Sequence, residues 1–268
     1  MPLILCGTPI GNLDDAAPRL AAALRDCDVV FAEDTRRTRI LLDRLTVEVP
    51  LRSFFAGNER QRIDELRRRL EVGETVGLVT DAGMPSISDP GMLAVMAARS
   101  VGAPVTVIPG PSAVTAALAV SGLPSDRFVF EGFLPRAGGD RRTRIGEIAA
   151  ETRTVVFFSS PRRVGGDLLD LAEAADEERQ TCVARELTKL HEELWWGSLG
   201  EALDRFAGDQ RGEFTIVLEG RHPRSPDLDA AVEAVRALIR EGESMSSAVR
   251  IVAERSGVSR RVLYEASL

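Results

Sequence analysis

The chain has 268 residues, 44% hydrophobic and 28% charged, with a formal net charge of -7. That length suffices for two compact α/β domains, and the acidic total argues against indiscriminate nucleic-acid binding, which needs many phosphates neutralised. No apolar run approaches the ~20 residues of a bilayer span, and "MPLILCG" lacks the charged flank and cleavage pattern of a signal peptide, so a cytoplasmic location without a membrane partner is expected.

In chain order, "LILCG" reads as the first strand. The loop "CGTPIGNLDD" then places Gly7 and Gly11 before a helix near 15–26 with acids in its first turn. The spacing is not G-x-G-x-x-G, and those acids would repel a pyrophosphate, which disfavours a dinucleotide fold; a tight strand-to-helix turn is the plain alternative to a binding loop. Strand two, "VVFAED", ends in Glu33, Asp34, Thr35, Arg36 and Arg37, where parallel sheets place ligands, although Asp34 or Thr35 also suits the cap of a helix at 36–45. "LRSFF" and a helix at 59–72 follow. Strand four, "TVGLVTD", runs into "GLVTDAGMPSISDPG", Gly77 to Gly91, which carries far more turn residues than a connection needs. Within it Asp89 is expected as N-cap and Pro90 as the first helical position of a helix at 91–101. Strand five, "VTVIPG", leads to "PGPSAVTAA". Three such loops at one end of a sheet weigh more than any one of them.

A second series, "RFVFEGF", "TVVFFSS", "TCVARELT", "EELWWGSL" and "EFTIVLEG", follows a boundary near Gly122 to Asp126, with helices near 141–151, 162–175 and 199–207. Tandem strands around His191 imply a hairpin and a mixed sheet. After the Pro-bearing linker "RHPRSPDLD" come a helix near 228–241 and a pair capped by Ser244 or Ser246 and by Ser259, as in a helix-turn-helix; plain packing helices are the alternative. The expected domains are 1–122, 123–222 and 223–268. Cys6, Cys27 and Cys182, odd in number and in apolar settings, are expected as reduced packing residues rather than disulfides or metal ligands. The cations comprise 33 Arg and one Lys, Lys189.

The ordered set "CGTPIGNLDD", "AEDTRRT", "NERQR", "LVTDAGMPSISDPG", "PGPSAVTAA", "FEGFLPR", "FFSSPRR", "ARELTKLHEE" and "GEFTIVLEG" resembles the tetrapyrrole-methylase-like (class III) S-adenosylmethionine methyltransferases. Within them it is similar to the bacterial ribosomal RNA small subunit methyltransferase I family, over essentially the whole chain including the terminal helices. The resemblance implies two α/β domains with S-adenosylmethionine in the cleft between them, plus a C-terminal helical segment. It implies methylation of a cytidine ribose 2′-hydroxyl in the decoding region of 16S rRNA, within the 30S subunit, by a homodimer.

By the same resemblance Asp81, Ala82, Gly83, Met84 and Pro85 form the methionine cradle, beside Ser112 and Ala113. Ser159, Ser160, Glu186, Leu187, Phe214 and Thr215 match the adenosine side. The chemistry agrees: backbone amides of a Gly-rich loop suit a carboxylate, and an acidic cleft suits a sulfonium. A ribose hydroxyl must lose its proton during attack, and Lys189 is the leading candidate base, because a desolvated lysine can titrate near neutrality. A surface ion pair with Glu192 or Glu193 is the plain alternative, and Glu33 and Asp34 are the carboxylate candidates.

RNA contact is expected from Arg36 and from Arg136, Arg141, Arg142 and Arg144 on the glycine-bearing loop "LPRAGGDRRTR", read as a mobile phosphate-binding arm, followed by Arg162 and Arg163 and by Arg260 and Arg261 on the last helix; a solvated arginine-rich surface is the alternative. Of Trp195 and Trp196, adjacent on a strand, one ring is expected in the core and one at an interface. The sequence departs from its relatives at Ala56 and Gly57, where histidines are common, and at Met84, where a small hydroxyl is more usual. Two other readings stay in play: a tetrapyrrole methyltransferase, and a non-catalytic ribosome or nucleic-acid binding protein.

Overall fold

The computed structural model describes residues 1–221 and 228–268, so most of the predicted linker, His222 included, lies outside the described residues. Two compact units result, Met1–Gly220 and Arg221–Leu268. In the first unit, β1 (Leu3–Cys6), β2 (Val29–Ala32), β3 (Leu51–Ser53), β4 (Val76–Val79) and β5 (Val105–Ile108) form a parallel sheet in the order β3-β2-β4-β1-β5. Every residue of β2 and β4 is buried, as in a strand covered on both faces. Leu20 and Leu24 of α1 (Leu20–Arg25) and Leu41 and Leu42 of α2 (Thr35–Leu45) cover one face. Leu66 and Leu70 of α3 (Glu59–Glu71) and Ala94 and Ala98 of α4 (Met92–Ser100) cover the other.

The single helix expected at 15–26 is instead a 3-10 turn, Leu13–Asp15, capped by Asn12, followed by the short α1. Pro18 explains the break, since it has no N–H to continue a helical ladder.

The second sheet contains β6 (Phe128–Phe133), β7 (Thr154–Ser159), β8 (Gln180–Arg185), β9 (Glu193–Ser198) and β10 (Phe214–Leu218), in the order β6-β7-β10-β8-β9. Only the β6–β7 pairing is parallel, and β8 and β9 form the hairpin expected around His191. Ile145 of α6 (Gly138–Ala150), Leu168 and Leu171 of α7 (Val164–Ala174) and Leu199 and Phe206 of α8 (Leu199–Phe206) pack on one face. Val114, Ala117 and Leu118 of α5 (Ala113–Ser121) pack on the other, against Val156, Ala184 and Val217. α5 follows directly on β5 yet covers the second sheet, Ile10 of the loop after β1 joins the same cluster, and both sheets belong to one compact unit.

The second unit is three helices, α9 (Leu228–Arg240), α10 (Met245–Ser256) and α11 (Arg260–Ser267), around Val235, Val249 and Leu263. Ser244, one of the two expected caps, and Ser259 cap α10 and α11, and left-handed Gly257 ends α10. Cys6, Cys27 and Cys182 are all buried and free, and burial pushes the Cys6 thiol up to about 12.

Candidate functional site

A parallel sheet delivers all its strand ends to one side. The ends of β1, β2, β4 and β5 accordingly meet at one cavity of about 480 Å³, whose far wall comes from the second sheet through Phe158, Ala184 and Phe214. The loops after β1 and β5 touch at backbone level: a Cβ on Gly7 would lie 2.5 Å from Gly110 N and 2.6 Å from Met84 Sδ. Thr8 N donates to Gly83 O at 2.9 Å and Gly83 N donates to Thr8 O at 3.2 Å, with Gly83 at φ 82. The first glycine loop is therefore a clasp on the fourth.

The long loop after β4 folds back on itself. Ser86 and Ser88 hold φ of 73 and 64, Ser86 N donates to Pro90 O at 3.2 Å, and Gly91 N donates to Glu59 Oε1 at 3.1 Å. Non-glycine residues at positive φ are costly and gather at functional sites. The consequence corrects one expectation: Gly91, at φ 148, is the N-cap residue of α4, and Asp89 lines the cavity instead.

Of the expected cofactor residues, Asp81, Ala82, Gly83 and Met84 line the cavity, as do Ser112 and Ala113 from the turn into α5. Ser159, Ser160, Leu187, Phe214 and Thr215 line it from the second sheet. Pro85 is buried and not in the lining, and Glu186 is held by Lys189. Ser159 is itself committed, its hydroxyl donating to Asp167 Oδ2 at 2.6 Å.

Among the expected catalytic residues, Glu33 and Lys189 line the cavity and Asp34 does not. Asp34 caps α2 and accepts from Arg36 Nε at 3.1 Å, and that guanidinium holds its carboxyl well below the usual range. Arg36 is thereby tied to α2, outside the cavity lining. Lys189 Nζ lies 2.8 Å from both Glu186 Oε1 and Glu213 Oε2. Burial opposes its charge, but the two carboxylates outweigh burial and its pKa stands above the ordinary lysine value. A lysine so held favours its charged form, which weighs against the base role expected of it.

The remaining carboxylates divide sharply. Glu33 Oε2 accepts from Asp81 N at 3.2 Å; Asp81 accepts from Asp34 N at 3.0 Å and pairs with Arg37 at 3.3 Å. Asp89 has no ion pair among the described residues, and burial, then the nearby Glu33 charge, push it up to about 7. The Thr80 hydroxyl draws that value partly back, yet it is buried without a hydrogen bond of good geometry. Sequence reasoning missed Asp89, Glu213, Ile10, Phe133 and Phe158 as lining residues. All of them lie in or beside stretches already singled out, so proximity to a motif was the available signal.

The arginine stretch is not a loop. From Gly138 onward it is the start of α6, which puts Arg141, Arg142 and Arg144 on a helix. Arg141 turns inward to Asp167 at 2.8 Å and Asp170 at 2.5 Å, so the expectation of a free phosphate contact there is corrected. Arg163 likewise donates to Leu134 O at 2.7 Å. Arg144 pairs with Glu131 and Glu147, while Arg136, Arg142 and Arg162 are exposed. Arg260 and Arg261 line a shallow groove with Ser244, Ser247, Arg250 and Tyr264. Trp195 packs on Phe206, whereas Trp196 is half exposed and donates from Nε1 to Val120 O.

The family profile described as Tetrapyrrole (Corrin/Porphyrin) Methylases matches residues 2–203, and that described as RsmI C-terminal HTH domain matches residues 226–268. A protein of Mycobacterium tuberculosis (strain CDC 1551 / Oshkosh) named ribosomal RNA small subunit methyltransferase I is 45% identical over 99% of this chain and 94% of its own length. The chain belongs to the ribosomal RNA small subunit methyltransferase I family. A family member from Xylella fastidiosa (strain Temecula1 / ATCC 700964) is 44% identical over 98% of this chain and 97% of its own. One from Thermotoga maritima is 46% identical over 82% of this chain and 98% of its own.

Solved structures agree on the fold. The methyltransferase CobJ superposes with a TM-score of 0.63 at 18% identity, covering 82% of this chain and 94% of its own. Uroporphyrin-III C-methyl transferase from Thermus thermophilus, complexed with S-adenyl homocysteine, gives 0.58 at 19% identity, over 81% of this chain and 97% of its own.

Proposed function

We propose that this protein transfers a methyl group from S-adenosylmethionine to the 2′-hydroxyl of a cytidine ribose in the decoding region of 16S rRNA, within the 30S subunit. The observation that carries this reading is a cavity of about 480 Å³ closed between two sheets in a chain that aligns almost end to end with rRNA methyltransferases.

The residues fit the cofactor. Small side chains at Ala82, Gly83 and Ala113 leave room for close backbone approach, and Phe133, Phe158 and Leu187 offer apolar walls. Asp81 to Met84 would hold the methionine part, with Ser112 beside it; Ser160, Leu187, Phe214 and Thr215 would hold the adenosine. Bound there, S-adenosylmethionine supplies a methyl carbon already activated by its sulfonium, so the protein's share is positioning and charge. Glu33, Asp81, Asp89 and Glu213 outnumber Arg37 and Lys189 in the lining, a balance that favours a cation.

That same acidity disfavours a tetrapyrrole, whose carboxylates would meet carboxylates, whereas a nucleoside enters neutral and leaves its phosphates outside. Exposed Arg136 and Arg142 on the two-sheet unit, and separately the Arg250, Arg260 and Arg261 groove of the helical unit, supply the phosphate contacts in this reading.

We place the protein in the cytoplasm as a homodimer. Edge strand β5, with Val105 and Val107 exposed, lies beside exposed Met96 of α4 and offers more apolar surface than Trp196 of the hairpin.

The test offers methyl-labelled S-adenosylmethionine to the protein with 30S subunits lacking the modification, naked 16S RNA, or a precorrin-type acceptor. Label in the ribosomal RNA is the expected outcome. Label in the tetrapyrrole alone would overturn the reading, and no cofactor binding by calorimetry would leave a binding protein.

A further inference from the structure

Methylating a hydroxyl releases a proton, and the cavity must take it. Of the four carboxylates in its lining, three are engaged: Glu33 by Asp81 N, Asp81 by Arg37, and Glu213 by Lys189. Asp89 alone has no ion pair among the described residues, and it sits beside a buried Thr80 hydroxyl without a good hydrogen bond of its own. Its backbone setting is expensive as well. Ser86 and Ser88 at positive φ, tied by Ser86 N to Pro90 O, hold Asp89 into the cavity three residues ahead of the helix it would otherwise cap.

We infer that Asp89 accepts the proton of the attacking ribose hydroxyl, with the Thr80 hydroxyl steadying its carboxylate. This assignment rests on the reading of the reaction as ribose O-methylation. In the step, a lone pair of the hydroxyl oxygen forms the bond to the methyl carbon. The carbon–sulfur bond breaks with its electron pair left on sulfur, and the hydroxyl proton passes to an Asp89 carboxylate oxygen. One positive and one negative charge enter, and a neutral thioether and a carboxylic acid remain, so the charge is balanced within the cavity.

The surroundings set the protonation. Burial is the main cause of the rise to about 7, the like charges of Glu33, Asp81 and Glu213 add to it, and the Thr80 hydroxyl draws it partly back. A general base is most effective with a pKa near the working pH. Its carboxylate form predominates above that value, so the transfer rate rises as pH rises through about 7. The linked stability runs the other way. A carboxyl lifted from 3.8 to about 7 in the fold makes the protein lose stability as pH climbs between those values. Neutral Asn at this position escapes that loss.

The test compares the full-length wild type with Asp89→Asn and Asp89→Glu in single-turnover transfer to 30S subunits lacking the modification, from pH 5.5 to 9. Calorimetry with S-adenosylhomocysteine and thermal unfolding accompany it. The expected result is a 10²- to 10⁴-fold slower transfer for Asp89→Asn, with the acid limb near pH 7 abolished. S-adenosylhomocysteine affinity should stay within about threefold, and the midpoint-temperature gain of Asp89→Asn over wild type should grow between pH 4 and 7. Asp89→Glu should retain part of the rate with a displaced limb. An Asp89→Asn enzyme with wild-type rate and limb would overturn the assignment while leaving ribose methylation intact, and loss of product binding would make Asp89 a cofactor ligand instead. A wild type that labels no ribose hydroxyl would overturn the reaction reading, and this assignment with it.

Discussion

Lys189 shows how a residue's neighbours decide its chemistry. A lone lysine among 33 arginines invites a special role, and it has one, but as a charge that bridges Glu186 and Glu213 on the cavity wall. Its loop is strained to achieve this, with Glu186 and Thr188 at φ of 52 and 63, and Thr188 Oγ1 accepting from Asn12 N at 3.1 Å across to the first glycine loop. Lys189→Met should leave two carboxylates facing each other, weaken S-adenosylhomocysteine binding, and slow transfer about tenfold. The acid limb of the rate profile should persist; its disappearance would return the base role to Lys189. Sequence could not show this, because Glu213 lies 24 residues away and reaches Lys189 only through the fold. Asp89 was misread for a similar reason. Asp-Pro ahead of an apolar helix is an ordinary cap signature, and only the positive φ values at Ser86 and Ser88 turn it elsewhere.

At the scale of elements, α6 separates structural from surface arginines that look alike in sequence. Arg141 donates to Asp167, which is 1% exposed, and to Pro135 O at 2.9 Å, whereas Arg142 is exposed. Arg141→Ala should cost about 3 kcal/mol by stranding part of a buried charge, a fall of roughly 5–10 °C in Tm. Arg142→Ala should change stability by less than about 0.5 kcal/mol and reduce the salt dependence of RNA binding by about one charge. Equal stability losses would place Arg142 in the same buried network. The strands and most helices were legible because they follow apolar runs and 3.6-residue periods, as in "TVVFFSS" for β7 and Ile145 with Ile148 on α6. What composition hid was the start of α6: Gly138 and Gly139 read as a loop, but Asp140 in the first turn favours the helix terminus. The pairing of α5 with the second sheet was equally invisible, since it depends on contacts with β8 and β10 far along the chain.

For the whole molecule, one relative matches over a length close to that of the two-sheet unit alone. The Thermotoga maritima relative is spanned to 98% by a 220-residue match, which leaves no room for a helical unit of this size. The present chain's helical unit begins at Arg221 and has its own core. A chain ending at Gly220 should therefore bind S-adenosylhomocysteine as tightly as the full chain and bind 30S subunits more weakly; loss of cofactor binding would show that the helical unit completes the site. The acceptor atom decides what the enzyme does. Its most direct measurement is mass spectrometry of nucleosides from 16S RNA methylated by the pure protein in unmodified 30S subunits. One added methyl group on the ribose of a cytidine in the decoding region is the expected result. A methyl group on a base, or no modification of the RNA while S-adenosylmethionine is bound, would contradict it.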